Sequence, residues 1–206
     1  MSNYINSNQY VESFRQTVSG KYFVDKTNII ADLLPYFNIE ERFLCITRPR
    51  RFGKSVASRM IASFFGKSDS KVLFKNTNIF QNKEVYKHLN KHNVVFIDFS
   101  KNVDESSDDY KSYLARLCNG IKQDLIELFE LPELNKTDLL SLSFSTVFEK
   151  TNQKFVFVFD EWDAPFRFKF MPNQDKDSYL QFLKDLLKDR PYVELAYMTG
   201  VLPVKK

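Results

Sequence analysis

Short apolar runs alternate with longer amphipathic segments along this chain of 206 residues. Four runs have the length and the Val, Ile, Leu and Phe content of strands buried on both faces. They cover residues 43–47, 94–99, 155–159 and 193–199. Apolar residues at helical spacing fall between and before them, in residues 27–34 with Thr27 as N-cap, 54–65, 112–130 and 178–188. This alternation predicts an α/β fold with a mainly parallel sheet covered by helices.

Two further stretches, residues 101–109 and 169–177, are dense in charged and polar side chains. Such composition between periodic segments predicts solvated loops.

Composition narrows the class of protein. A hydrophobic fraction of 43% with 27% charged residues is typical of a folded globular chain, and the net charge of +4 is too small to indicate nucleic acid by itself. Cys45 and Cys118 lack the spacing of a zinc site, which predicts buried free thiols in a reducing compartment. The chain lacks an apolar leader and any run of about 20 apolar residues, so we expect a cytoplasmic protein outside the membrane.

A phosphate-binding motif follows the first apolar run. Residues 48–55 read R-P-R-R-F-G-K-S, which matches the second half of the P-loop pattern G-x-x-x-x-G-K-[ST]. In that pattern backbone amides wrap phosphates, the lysine reaches the outer phosphates and the hydroxyl binds Mg²⁺. The residues expected to contact nucleotide are Phe52, Gly53, Lys54, Ser55 and Val56, with Ser55 also on the metal.

The first glycine of the pattern is replaced by Arg48. Pro49 then restricts Arg48 to extended geometry and removes one N–H donor, so this arginine does not simply mimic glycine. Arg50 or Arg51 would supply a charge-assisted bond to phosphate in its place. The alternative left open is that these side chains point to solvent or bind a partner's carboxylate.

A second motif, F-V-F-V-F-D-E, covers residues 155–161. It has the form of a Walker B strand, with Asp160 placed to hold Mg²⁺ and Glu161 to polarise an attacking water. The spacing between the motifs leaves room for the strand at 94–99, and we expect the strand at 193–199 to be inserted between the two motif strands. Thr199 would then sense the γ-phosphate, or else belong to a simple turn before Gly200.

Four strings together resemble one family: Y-F-V-D-K-T at 22–27, R-P-R-R-F-G-K-S at 48–55, F-D-E-W-D-A-P at 159–165 and T-G-V-L-P-V-K-K at 199–206. The chain resembles the predicted AAA-ATPase-like family of bacteria and some eukaryotic microbes from about residue 12 to its end. The resemblance implies a P-loop NTPase fold of three layers, in which the arginine-containing loop is a family trait. It assigns Lys54 and Ser55 to phosphate and Mg²⁺, Asp160 to the metal and Glu161 to the catalytic base.

Other implications of the resemblance concern organisation. We expect one P-loop domain over residues 1–206, with a linker and helix in 1–42 and the segment 22–27 near adenine. Asp25 and Thr27 have helix capping as an alternative role, and Asp163 either assists the site or belongs to a structural turn. The family pattern adds a fifth strand beyond residues 43–47 and often a PD-(D/E)xK nuclease-like domain, so we expect a shortened version of a longer protein.

Two functions follow from these patterns. The first is a Mg-dependent ATPase in which Glu161 and Lys54 are the catalytic groups. An arginine from another subunit or a partner protein would complete its active site. The second is a regulatory or nucleic-acid-binding module with little or no hydrolysis, which would use the basic loop and the Arg167 and Lys169 pair. A P-loop kinase is a third option, but the carboxylate of Glu161 directly after Asp160 favours action on water.

Overall fold

The computed structural model describes residues 3–104, 109–136 and 139–202. Within these ranges the chain forms helices and strands that alternate as the apolar pattern indicates. The helices are α1 (Asn8–Val18), α2 (Ile29–Leu33), α3 (Lys54–Phe65), α4 (Lys71–Phe74), α5 (Lys83–Tyr86), α6 (Tyr110–Phe129), α7 (Leu140–Thr151) and α8 (Asn173–Leu187). The strands are β1 (Phe43–Thr47), β2 (Asn93–Asp98), β3 (Phe155–Asp160) and β4 (Val193–Gly200).

The four strands form one parallel sheet in the order β1-β4-β3-β2. The α/β class and the parallel sheet are therefore confirmed. The last strand in the chain, β4, lies between β1 and β3, as the spacing of the motifs predicted. All four carboxyl ends consequently meet at one edge of the sheet, where ligands of parallel sheets bind.

Side chains of β3 divide the core in two. Phe155, Phe157 and Phe159 pack into one buried cluster with residues of α6, α7 and α8, while Val156 and Val158 pack into another with α1 and α3. Successive side chains of a strand point to opposite faces, so helices cover both faces of this strand. All five side chains are fully buried, which fixes β3 in the sheet centre.

The two edges of the sheet differ. Along β2, residues 4–6 add an antiparallel bridge, in which the Asn6 amide donates to Val94 O at 2.9 Å and the Phe96 amide to Tyr4 O at 2.8 Å. Along β1, no second neighbour is found among the described residues, and Phe43 and Ile46 are 40% and 37% exposed. The prediction that β1 is buried on both faces is wrong, because an edge strand with one neighbour leaves part of its apolar surface open.

Helix predictions fared unevenly. The helix at 54–65 is confirmed to the residue. Thr27 as N-cap is wrong: α2 begins at Ile29, and Asn28 caps it without a side-chain hydrogen bond. The buried Thr27 hydroxyl instead accepts from the Ile79 amide at 3.1 Å, a tertiary contact that local sequence does not indicate.

The loop expected at 169–177 is partly wrong, because α8 already begins at Asn173. Its first turns carry exposed polar residues, which give the same composition as a solvated loop. Of the loop expected at 101–109, residues 105–108 lie outside the described part, and 101–104 form neither helix nor strand. Helices α1 and α7 were not predicted, although their buried apolar residues follow helical spacing: Tyr10, Val11 and Phe14 in α1, and Leu140, Phe144 and Val147 in α7.

Both cysteines are thiols outside any disulfide and are half-buried, less buried than predicted. Burial raises the pKa of the Cys118 thiol to about 11, so this thiol stays protonated near neutral pH. None of the helices in the described ranges combines the length and the apolarity needed to cross a bilayer.

The chain's two histidines lie together at the opposite end of the sheet from the carboxyl edge. His88 Nδ1 lies 3.0 Å from His92 Nε2, and His92 Nδ1 lies 2.8 Å from Glu194 Oε2 on β4. Burial and the proximity of His92 and Lys87 lower the pKa of His88, while Glu194 opposes the shift. Burial raises the pKa of Glu194, but His92, with further contributions from Asn38 and Lys154, more than offsets it, so the net shift is downward.

Both pKa shifts predict lower stability in acid. A group whose pKa is depressed on folding stabilises the protein above its unfolded pKa and loses that contribution as the pH falls through its folded pKa. For Glu194 this loss begins only near its ordinary pKa of 4.5, whereas for His88 it begins near 6.5. We therefore expect the His88 shift to give lower stability in urea unfolding at pH 5.5 than at pH 7.5. His88→Asn, which keeps a polar atom near Nδ1 but does not titrate, should flatten this dependence below pH 6.5. An unchanged pH dependence in the variant would contradict the assignment.

Candidate functional site

The loop between β1 and α3 has the backbone geometry of an anion site. Gly53 adopts a left-handed conformation with φ 78°, and Arg51 does so with φ 69°. A glycine at 53 is favoured because a side chain there costs about 1–2 kcal/mol. Gly53 makes no side-chain cap, so the first-turn amides of α3 have no capping side chain. Uncapped amides and the helix dipole favour a bound phosphate at this point.

Lys54 holds the loop from within. Its side chain is buried, and its ammonium group donates to Arg48 O at 2.8 Å and Pro49 O at 3.0 Å. The Arg48 amide in turn donates to Gly200 O at 3.3 Å, which ties the loop to the end of β4. The replacement of the first glycine by Arg48 is thus accommodated through its backbone, while its side chain is exposed.

One cavity of about 510 Å³ joins the two motifs. Lys54, Ser55 and Glu161 all face it, although Glu161 lies more than a hundred residues away in the chain. The complete lining consists of Arg50, Arg51, Gly53, Lys54, Ser55, Val56 and Glu161. The structure therefore brings seven of the predicted site residues together at the carboxyl edge of the sheet.

The remaining predicted residues lie around this cavity rather than in its lining. Asp160 and Thr199 are almost fully buried at the ends of β3 and β4, and the Thr199 hydroxyl donates to Asp160 Oδ1 at 2.6 Å. Ser58 of α3 lies 3.5 Å from the same hydroxyl. Phe52 faces a neighbouring cavity instead. Thr199 is therefore positioned to orient Asp160, a contact that the sequence alone did not indicate.

Asp160 fits a role at a metal ion. Its Oδ2 atom is buried and has no hydrogen-bond partner within the described residues. An unpartnered buried carboxylate oxygen is costly, and a Mg²⁺-bound water would satisfy it. The described residues contain no cluster of three or more His, Cys, Asp or Glu side chains suited to a metal. Mg²⁺ in nucleotide sites typically takes one or two protein oxygens and completes its shell with water and phosphate, and the carboxylate of Asp160 and the hydroxyl of Ser55 are donors of the type it uses.

The turn after β3 contains two residues whose roles the sequence left open. Asp163 is fully buried, and its Oδ2 accepts from the amides of Val201 at 3.0 Å and Leu202 at 2.9 Å. Arg167 donates to Asp163 Oδ2 and to Glu161 Oε2, both at 3.1 Å. Asp163 therefore belongs to a structural turn, and Arg167, which the sequence offered to nucleic acid, forms ion pairs with two carboxylates of this turn. The sequence does contain a signal for these ion pairs, because Arg167 follows Glu161 and Asp163 within six residues.

A second cavity of about 470 Å³ adjoins the loop. The N-terminal segment forms one wall of it through Tyr22, Phe23, Val24 and Lys26, and Thr17 of α1 extends this wall. The opposite wall comes from the loop and α3, with Arg51, Phe52, Gly53, Val56, Ala57 and Met60. The walls are mainly apolar and include three aromatic side chains, Tyr22 and Phe23 of the N-terminal segment and Phe52 of the loop.

The contact between Thr199 and Asp160 should be measurable in stability. Thr199→Val keeps the shape but leaves Asp160 Oδ1 buried without its donor, which we expect to cost about 1–3 kcal/mol. Thr199→Ser, which keeps the hydroxyl, is the matched control and should lose clearly less. Urea unfolding of both variants tests this, and equal losses would show that the methyl group matters rather than the hydrogen bond.

Of three comparisons with known proteins, the one with family models gives a match. Neither the comparison with curated proteins nor the comparison with solved structures finds a match. A model of the family described as "Predicted AAA-ATPase" matches residues 10–206, which is nearly the whole chain. The chain therefore belongs to the predicted AAA-ATPase family.

Proposed function

We propose that this protein binds Mg·ATP at the carboxyl edge of its sheet and hydrolyses it slowly. The observation that carries the proposal is the single cavity in which the uncapped start of α3, the Lys54 side chain and Glu161 meet. Family membership supports a nucleotide-binding, ATPase-like role.

Each side chain of the cavity has a defined task in this proposal. The first-turn amides of α3 bind the phosphate oxygens, since they lack a capping side chain. Lys54 exchanges its bonds to the carbonyls of Arg48 and Pro49 for bonds to the outer phosphates. Ser55 and Asp160 would hold Mg²⁺, which would neutralise charge on the phosphates. Thr199 keeps Asp160 Oδ1 occupied and leaves Oδ2 free for the metal side.

Glu161 is the proposed base for the attacking water. It lines the cavity and follows Asp160 in a left-handed conformation with φ 49°, which turns the chain sharply at the end of β3. Arg50 and Arg51 supply positive charge from within the chain. An arginine from a second subunit or a partner would add transition-state stabilisation, so the isolated domain should turn over slowly.

The neighbouring cavity is the proposed place for the nucleobase. It begins at Gly53 and Val56, next to the phosphate site, and its apolar walls with Tyr22 and Phe23 suit a flat aromatic ring. This supports the expectation that the segment 22–27 lies near adenine.

Removal of the Lys54 ammonium tests the binding step. We expect Lys54→Ala to weaken Mg·ATP binding about 10- to 100-fold, since a charge-assisted hydrogen bond contributes about 1.5–3 kcal/mol. Isothermal titration calorimetry measures the affinity, with Lys71→Ala, at the exposed first position of α4, as the control for a lost positive charge. Equal weak binding by the wild type and both variants would sink the proposal, provided that circular dichroism shows all three folded.

Glu161→Gln tests hydrolysis separately from binding. Loss of a general base lowers turnover about 10²–10⁴-fold, while the isosteric amide leaves the phosphate contacts intact. We expect phosphate release to fall by that factor and the calorimetric affinity for Mg·ATP to stay within about twofold of wild type. Unchanged turnover would remove Glu161 from the role of base.

Nucleic-acid binding is the second candidate function, and the basic loop after β1 is the observation that favours it. Arg48, Arg50 and Arg51 are all exposed on one loop, with Phe52 61% exposed between them and the helix. Contacts to phosphate backbone weaken steeply with salt. A salt titration with duplex and single-stranded DNA distinguishes the candidates, because nucleotide binding in the cavity should persist at salt concentrations that abolish DNA binding.

A further inference from the structure

Three charged side chains, bonded one to the next, lead from the protein interior to the cavity that Lys54, Ser55 and Glu161 line. We call this proposed nucleotide site the phosphate cavity. It begins at Asp163, which is fully buried and bonded by two backbone amides, continues through Arg167 and ends at Glu161. Arg167 is 36% exposed and Glu161 29% exposed, so burial fixes only the first member.

Asp163 is bonded both to backbone amides and to Arg167. Its Oδ2 accepts from Val201 and Leu202, the two residues that follow β4, while its own backbone carbonyl accepts from Arg167 Nη1 at 3.3 Å. A Cβ at Gly200 would lie only 2.9 Å from Asp163 Oδ1, so β4 packs directly against this carboxylate. The guanidinium is therefore held through two contacts from Nη1 to a buried residue whose carboxylate is bonded by two backbone amides.

The second guanidinium nitrogen then sets the place of Glu161. Arg167 Nη2 donates to Glu161 Oε2 at 3.1 Å, while Glu161 faces the cavity that contains Lys54 and Ser55. Without this bond, a partly exposed glutamate at a left-handed turn would sample several side-chain rotamers. With one oxygen held by Arg167, the other oxygen is available to a water in the cavity.

We propose that Arg167, anchored on Asp163, is a positioning residue that holds Glu161 toward the phosphate cavity. The inference rests on the proposed function, because it assigns Glu161 the role of base. A water-activating carboxylate gains its rate from geometry, so the loss of its support lowers turnover and leaves nucleotide affinity intact.

An ordinary surface ion pair is the competing interpretation. Such pairs contribute little, and their loss changes neither turnover nor side-chain order elsewhere. The pair of Arg15 with Glu12 on α1 is of this kind: its atoms are also 3.1 Å apart, and both side chains are more exposed. Arg15 is therefore the matched control for Arg167.

Kinetics of Arg167→Met and Arg15→Met provide the first test. Methionine keeps an apolar stem and removes the guanidinium. We expect Arg167→Met to lower kcat at least tenfold with the calorimetric Kd for Mg·ATP within twofold of wild type, Arg167→Lys to recover part of the loss, and Arg15→Met to match wild type. Unchanged kcat, or a Kd that rises as much as kcat falls, would overturn the inference.

The double variant tells positioning from general destabilisation. If Arg167 acts through Glu161, then Arg167→Met added to Glu161→Gln lowers the residual turnover no further. A full additional tenfold loss in the double variant would show that Arg167 acts independently of Glu161.

A third test requires no hydrolysis. In ¹⁵N-arginine NMR spectra of the nucleotide-free protein, a held guanidinium gives separate Nη signals, and a freely rotating one gives an averaged signal. We expect separate signals for Arg167, identified by their absence in Arg167→Met, and an averaged signal for Arg15. Averaging at Arg167 in the wild type would overturn the inference, whereas failure of Mg·ATP binding with separate Arg167 signals would count against the proposed function alone.

Discussion

Everything at the carboxyl edge depends on the complete burial of β3. Its five apolar side chains are inaccessible to solvent on both faces, and each contributes about 1.5–3 kcal/mol. The sum far exceeds the cost of about 1–3 kcal/mol for one unpartnered buried polar atom such as Asp160 Oδ2. The strand can therefore carry a carboxylate to a buried position at its end and hold it there without a bound ion.

The end of β4 links this carboxylate to the turn that follows it. Thr199 bonds to Asp160, the Trp162 amide donates to Thr199 O at 3.0 Å, and the next two amides after Gly200 bond to Asp163. The Arg48 amide donates to Gly200 O from the other side. The loop after β1, Asp160 and the turn after β3 therefore share the end of β4 as their common support, which is possible because β4 lies between β1 and β3.

The arginines of the site separate into two groups. Arg48, Arg50 and Arg51 have exposed side chains on the loop, and Arg50 and Arg51 line the cavity that joins the two motifs. Arg167 is instead tied to two carboxylates of the turn after β3. Composition does not distinguish these four arginines. The side chains of the first group are exposed to solvent, whereas Arg167 forms ion pairs within the protein.

Local pattern predicted well where a residue's role depends on its immediate neighbours. The bounds of α3, the four strands and the meeting of Gly53, Lys54, Ser55 and Glu161 in one cavity followed from apolar periodicity and motif spacing. The errors came where a distant segment decides the outcome. Thr27 lost its capping role to a bond with Ile79, and β1 lost its predicted burial because it lies at an edge of the sheet.

By itself, the sequence determined the order of elements and the two motifs, because hydrophobic periodicity and loop motifs depend only on residues close together in the chain. Only the tertiary structure decided the partners of the charged groups: Lys54 on two loop carbonyls, Thr199 on Asp160, and Arg167 between Asp163 and Glu161. The physical reason is that a hydrogen bond requires contact within about 3.5 Å. Thr199 and Asp160 are 39 positions apart and reach that distance only when the sheet has set the register of β3 against β4. The partners of Lys54 and Arg167 are near in sequence, but the bonds depend on the backbone path of the loop and of the turn after β3.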